Sequence, residues 1–146
     1  MTNGARQMTA HVEAAYKDAA ENIIFLKRQQ WAATNYAVLV YAAIFVISGT
    51  YFSRTNFARN MLGIVTIVTF VIHWYMIYVF QRAIKRYTRR LVWVYQTYFS
   101  QEERVGLDLP PEPTSDREHW EVSTALLLVS LVGAVFTAIY LWSVRT

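Results

Sequence analysis

Three long stretches of the sequence contain no Asp, Glu, Lys or Arg, and this feature constrains the fold more than any other. They cover residues 32–53, 60–81 and 122–144. A helix needs about 20 apolar residues to cross the hydrocarbon core of a bilayer. A soluble helix of that length normally keeps a charged face. We therefore predict an all-α integral membrane protein with three transmembrane helices, rather than a soluble helical core.

Composition supports the same class. The chain of 146 residues is 55% hydrophobic and 16% aromatic, with only 16% charged residues. Trp31 and Trp120 lie just outside two of the uncharged stretches and Trp142 lies near the end of the third, as aromatic residues do at membrane interfaces. The chain has no cysteine, which excludes disulfides, thiolate metal sites and cysteine nucleophiles.

The distribution of cations predicts how the chain crosses the membrane. Eleven of the 14 Lys and Arg residues lie in residues 1–31 and 82–121, and the other three are Arg54, Arg59 and Arg145. Cytoplasmic loops carry the excess of Lys and Arg. We expect a multi-pass protein, of a bacterial inner membrane, with a cytoplasmic N-terminus and an external C-terminus. Arg54 and Arg59 oppose this orientation.

Heptad spacing predicts that helices continue outside the membrane. Residues spaced alternately four and three apart form one seam before the first stretch and another after the second, with no Pro or Gly to end the helix. The first seam is Val12, Tyr16, Ala19, Ile23, Leu26 and Gln30, and the second is Ile77, Phe80, Ile84, Tyr87, Leu91, Val94 and Tyr98. We predict that these amphipathic helices pair as a cytoplasmic stalk; a segment 82–100 lying flat on the membrane is the alternative.

Prolines interrupt this helical pattern once. Pro110, Pro111 and Pro113 fall within residues 105–115, which reads as a linker, and Ser115 and Glu118 then match a helix capping box. The predicted order is an amphipathic helix (1–31), a first span (32–53), a short external loop (54–59), a second span (60–81), a basic and aromatic helix (82–104), the linker (105–115) and a capped helix with the third span (116–144).

A sparse polar stripe runs along each span. Counted from the cytoplasmic boundary at 1.5 Å per residue, Tyr41, His73 and Ser130 lie at similar depth, and we predict that they form a buried hydrogen-bonded layer. Thr66 and Thr69 extend the stripe of the second span. Two interpretations are open: such groups hold helices together, or they line a pore, because an ionisable residue within the membrane suggests function.

Small residues form a ridge on the third span. They are Ser130, Gly133, Ala134, Thr137 and Ala138. Ridges of this kind allow two helices to approach closely. The partner is either another copy or a larger membrane complex, or else the chain's own first two spans.

Five cations follow the second span directly. They are Arg82, Lys85, Arg86, Arg89 and Arg90. Basic side chains at this position gain about 1 kcal/mol each from anionic lipid headgroups. We therefore expect contact with anionic lipids of the bilayer, and no nucleic acid, because the segment lies so close to the membrane.

Enzymatic motifs are missing. No carboxylate lies at membrane depth to orient His73, and the sequence has no HExxH, P-loop or GxGxxG motif. A haem held by two histidines of one chain does not fit, because His73 lies inside the membrane and His119 outside it. We predict no catalytic residue, no metal and no cofactor.

Two functional hypotheses remain. The first is a non-enzymatic protein that self-assembles or serves as an accessory or scaffold subunit of a membrane complex. The second is a homo-oligomeric channel with a polar lumen, gated by the stalk. The layout of residues 8–104, a helix feeding a membrane hairpin that returns as a cytoplasmic helix, resembles the SLATT group of small bacterial membrane effectors. That resemblance implies pore formation, although the third span departs from it and it carries over no site residue.

Overall fold

In the computed structural model, residues 10–50, 56–99 and 116–143 are described, with side chains omitted at Thr50 and at residues 116–120. These residues form three helices, α1 (Ala10–Thr50), α2 (Asn56–Tyr98) and α3 (Asp116–Ser143). Each helix contains a segment long and apolar enough to cross a membrane. The predicted all-helical membrane class is confirmed at this level.

The helix bounds differ from the predicted ones at two points. α2 begins at Asn56, so residues 56–59, which we predicted to belong to the external loop, are helical. Asn is favoured at helix starts, and the Asn56 Oδ1 atom accepts a hydrogen bond from Arg59 Nη2 at 2.8 Å within the first turn. α2 ends at Tyr98 rather than near residue 104, where the Phe99 N–H closes a last turn on the Tyr95 carbonyl.

Other predicted segments fall outside the described residues. They are residues 1–9 of the N-terminal helix, 51–55 between the first two helices, and 100–115, which include the Pro-rich linker and Ser115 of the capping box. α3 begins at Asp116 in the structure.

Contacts between side chains give the relative direction of the helices. Tyr16, near the start of α1, contacts Tyr95, near the end of α2, which makes α1 and α2 antiparallel. α3 runs parallel to α1, because the contacts Gln30–Ser123, Tyr41–Ser130 and Phe45–Tyr140 follow the same order along both helices. The three helices therefore form an up-down-up bundle. α1 and α2 also continue beyond α3 as a two-helix hairpin.

The bundle buries polar side chains together with an apolar core and exposes large apolar side chains. Large apolar residues within the predicted spans are exposed, such as Leu39, Ile67 and Val132. The described residues that are both polar and buried are Gln30, Thr34, Ser48, Thr66, His73, Gln81, Ser123, Ser130 and Thr137. A lipid bilayer, not water, is the solvent that suits such a surface.

Candidate functional site: the buried polar core and the two-helix stalk

The interior of the bundle is organised by a heptad seam on α1 that runs through the membrane segment. The buried residues are Gln30, Thr34, Ala37, Tyr41, Ile44 and Ser48, spaced alternately four and three apart. The alternation is the same as in the seam predicted before the span, but two four-residue steps meet at Gln30, where the heptad phase shifts. The seam of α1 therefore faces its partner helices both inside and outside the predicted first span.

Two of the three residues predicted to form one layer contact each other. The Tyr41 and Ser130 hydroxyl groups lie 3.2 Å apart, and Ser130 has no exposed surface. Gly133 packs directly against the same ring: a Cβ atom added there would lie 2.8 Å from Tyr41 Cδ2. Tyr41 is thus held between a hydrogen bond and a glycine face of α3.

The third residue, His73, has a different partner. Its Nε2 atom lies 3.0 Å from Thr34 Oγ1, while Thr34 Oγ1 also donates to the Gln30 carbonyl at 3.0 Å. The Thr34 hydroxyl has a single proton, so both contacts are hydrogen bonds only if it donates to the carbonyl and accepts from His73 Nε2–H. We therefore assign the Nε2–H form to His73. The His73 Nδ1 atom is buried without a hydrogen-bond partner. The sequence analysis did not identify Thr34 as the partner of His73.

The remaining polar positions bond locally or weakly. Thr66 donates to the Leu62 carbonyl at 2.9 Å, Thr137 donates to the Gly133 carbonyl at 2.8 Å, and Thr69 is half-buried. Gln30 Nε2 lies 3.5 Å from Ser123 Oγ, at the limit of a hydrogen bond. Of these groups, Gln30 and Ser123 join two helices, whereas Thr66 and Thr137 bond within their own helices.

The ridge of small residues on α3 is divided between two environments. Ser130 and Thr137 are buried, and Gly133 lies against Tyr41 of α1. Ala134 and Ala138 instead line an open groove of about 1040 Å³ between α2 and α3. One edge of the ridge therefore packs inside the chain, and the other borders open space.

The stalk is formed by the parts of α1 and α2 outside the predicted spans. The Tyr16 and Tyr95 hydroxyl groups lie 2.7 Å apart, and their rings meet edge to face with centroids 5.6 Å apart. Burial, the hydrogen bond to Tyr16 and the charge interaction with Tyr16 together raise the pKa of Tyr95 from 10.0 to about 12. Tyr95, and with it the Tyr16–Tyr95 contact, lies 14 residues beyond Gln81, about 21 Å along α2.

The basic run continues α2 into the stalk. Arg82, Arg86, Arg89 and Arg90 are exposed and Lys85 is half-buried. The Arg90 guanidinium lies 5.5 Å from the centroid of the Tyr87 ring, within cation–π distance. The acidic residues of the stalk, Glu13, Asp18 and Glu21, are exposed on α1. The stalk part of α1 also carries the exposed cations Lys17, Lys27 and Arg28, which balance these three carboxylates, whereas all the charged residues in the stalk part of α2 are cations.

Large apolar side chains are exposed on the stalk. Ile24 is 54%, Phe25 56% and Trp93 57% exposed. These residues lie outside the uncharged stretches, so the predicted spans do not include them.

Within the described residues, no group of three His, Asp or Glu side chains is arranged to hold a metal ion. Comparison of the chain with protein families, curated proteins and solved structures finds no match.

Proposed function

We propose that this chain is a non-enzymatic membrane scaffold subunit that self-assembles through its stalk. The observation that carries the proposal is the exposure of Ile24, Phe25 and Trp93 outside the membrane segments. A pair of helices buries only the seam between them, whereas four helices enclose a complete core. Two stalks side by side give such a four-helix bundle and cover the exposed apolar side chains.

Charge supports this pairing. Counting five residues along each helix from the Tyr16–Tyr95 contact puts Glu21 of α1 and Arg90 of α2 at the same level. Two copies inserted in the same orientation are related by a two-fold axis along the membrane normal. Equivalent residues of the two copies therefore lie at the same height above the membrane. With α1 of one copy against α2 of the other, Glu21 of each copy meets Arg90 of the other.

The basic run divides accordingly between lipid and protein. Arg82, Lys85 and Arg86 lie within five residues of Gln81, about 8 Å along the helix. This distance is close to one Debye length at physiological ionic strength, about 8 Å. We assign these three cations to anionic headgroups on the cytoplasmic side. Arg89 and Arg90 lie about 12 to 14 Å from Gln81 and are assigned to the partner stalk.

The interior of the bundle favours a scaffold over a channel. A lumen shared by several copies needs polar side chains on the outer surface of each copy. Here the polar groups Tyr41, His73 and Ser130 are buried within one chain, and each lies within hydrogen-bonding distance of another side chain of that chain. The polar stripes therefore act as attachments between the chain's own helices, which is the structural role expected of such groups in membranes.

Disulfide cross-linking in native membranes tests the proposal, since the chain has no cysteine of its own. Glu21→Cys in one copy and Arg90→Cys in a second, differently tagged copy place thiols opposite each other across the proposed interface, and Ala19→Cys, a position with no exposed surface, replaces Glu21→Cys in the control. We expect oxidation of the co-expressed copies to give a covalent dimer with Glu21→Cys and not with Ala19→Cys. Equal cross-linking of both pairs, or none with Glu21→Cys, contradicts stalk pairing.

A further inference from the structure

The open groove between α2 and α3 has the shape and chemistry of an amphipathic ligand. One end carries polar side chains, Asn56, Arg59 and Asn60, at the boundary of the predicted second span. The rest is apolar down to Phe70 of α2, apart from Thr66, whose hydroxyl bonds the Leu62 carbonyl. From Asn60 to Phe70 the groove follows ten residues, about 15 Å, which is half of a hydrocarbon core of about 30 Å. It therefore spans one leaflet.

Small residues create the space. Gly63 on α2 faces the groove, and a Cβ atom added there would have nothing within 4 Å. Ala134 and Ala138 line the opposite side on α3. The resulting volume is about 1040 Å³, at the upper end of the roughly 300–1,000 Å³ of ligand pockets.

The mouth of the groove is cationic. Arg59 uses one of its N–H groups to bond Asn56, which orients the guanidinium at the start of α2. A guanidinium has five N–H donors and binds phosphate oxygens in pairs. The positive end of the α2 dipole lies at the same place. None of the described residues lining the groove is acidic. An anionic headgroup thus meets complementary charge.

We propose that this groove is a binding site for one anionic phospholipid, with its phosphate on Arg59 and an acyl chain along Gly63, Ala134 and Ala138. The groove is separate from the stalk, so lipid binding here does not depend on self-assembly through the stalk. Trp142, which is exposed and lines the groove near its mouth, lies at the interface level where tryptophan is favoured.

Native mass spectrometry of the purified full chain tests the site. Phosphatidylglycerol and phosphatidylcholine with the same acyl chains are the two probes. We expect Arg59→Gln to retain one phosphatidylglycerol fewer per chain than the unmodified chain, with about tenfold weaker binding at the groove, the effect of losing one charge-assisted contact. Lipids held by Arg82, Lys85 and Arg86 should remain in both. Lys27→Gln is the control, because it removes an exposed cation that lines neither the groove nor the proposed contact between stalks, and it should bind like the unmodified chain.

A variant that fills the groove provides a second test of the lipid site. Gly63→Leu puts a side chain into open space, so the bundle should keep its helicity by circular dichroism while retention of both lipids falls. Equal retention of the two lipids by the unmodified chain overturns the proposal, as does undiminished phosphatidylglycerol binding by both Arg59→Gln and Gly63→Leu. If Gly63→Leu instead turns a dimer into a monomer with lipid binding intact, the occupant is a second copy and the lipid site is wrong.

Discussion

The Thr34 hydroxyl lies 3.0 Å from His73 Nε2 and 3.0 Å from the Gln30 carbonyl, which links α2 to the backbone of α1 through a single side chain. The arrangement fixes the Nε2–H form of His73 and leaves its Nδ1 atom buried without a partner. Removing the Thr34 hydroxyl and removing the His73 ring should therefore lower the stability of the chain by different amounts.

Thr34→Val should destabilise the chain more than His73→Leu. The valine leaves the buried His73 N–H without an acceptor, and an unpaired buried donor costs about 1 to 3 kcal/mol. His73→Leu loses the interhelical bond, about 0.6 kcal/mol in bilayers, but also removes the unpaired Nδ1 atom. Unfolding midpoints in sodium dodecyl sulfate measure both, and the double variant should recover part of the loss. A larger loss for His73→Leu would mean that His73 makes a further interaction.

Two glycines should respond in opposite ways to the same substitution. At Gly133 a Cβ atom meets the Tyr41 ring at 2.8 Å, whereas at Gly63 it meets nothing within 4 Å. Overpacking costs about 1 to 3 kcal/mol, and replacing a helical glycine with alanine gains up to about 1 kcal/mol. We expect Gly133→Ala to lower the unfolding midpoint and Gly63→Ala to raise it. The same sign for both variants would contradict the packing of α3 against Tyr41.

The stalk should loosen at high pH. Because the folded chain raises the pKa of Tyr95 from 10.0 to about 12, it holds that proton more tightly than the unfolded chain does. The contribution to stability is therefore complete below pH 10 and is lost as the pH rises from 10 to about 12. Ultraviolet titration of tyrosinate should show a late phase that Tyr95→Phe removes.

The partner of Tyr95 provides the control for this titration. Tyr16→Phe removes the hydrogen bond and the charge interaction and leaves only burial, so the late phase should move toward pH 10. A late phase that stays at the same pH in Tyr16→Phe would show that the two hydroxyl groups are not in contact.

The sequence was sufficient for the membrane class and for the continuity of the helices. Uncharged stretches of spanning length follow directly from the energetics of burying charge in lipid. The lack of Pro and Gly between Gln81 and Tyr98 fits a helix that continues past the span. The start of α2 at Asn56 was harder to predict, because Asn occurs both in loops and at helix starts.

The pairing of polar groups was beyond sequence reasoning. Thr34 and Tyr41 lie on the same face of α1, one heptad apart, about 10 Å along the axis. Depth counted from an assumed boundary assigned His73 to the level of Tyr41, whereas the structure joins it to Thr34. Sliding one helix along another by two turns, about one heptad, brings seam residues opposite seam residues again. The heptad pattern alone therefore does not determine which residue of one helix lies opposite which residue of the other. The groove was missed for a related reason, since it depends on how far α2 and α3 stand apart.

Self-assembly through the stalk is the central claim, and charge reversal tests it. Glu21→Arg or Arg90→Glu alone puts like charges opposite each other in the proposed dimer, while the double variant restores attraction. Since each exposed pair contributes about 0.2 to 1 kcal/mol and occurs twice in a two-fold dimer, each single reversal should weaken association about tenfold.

The decisive measurement is the detergent-corrected mass of the purified chain by analytical ultracentrifugation at several concentrations. Our account predicts a dimer for the unmodified chain, dissociation toward monomer for Glu21→Arg and for Arg90→Glu, and return of the dimer in the double variant. A chain that is monomeric at every concentration, or a mass that neither reversal changes, would contradict it.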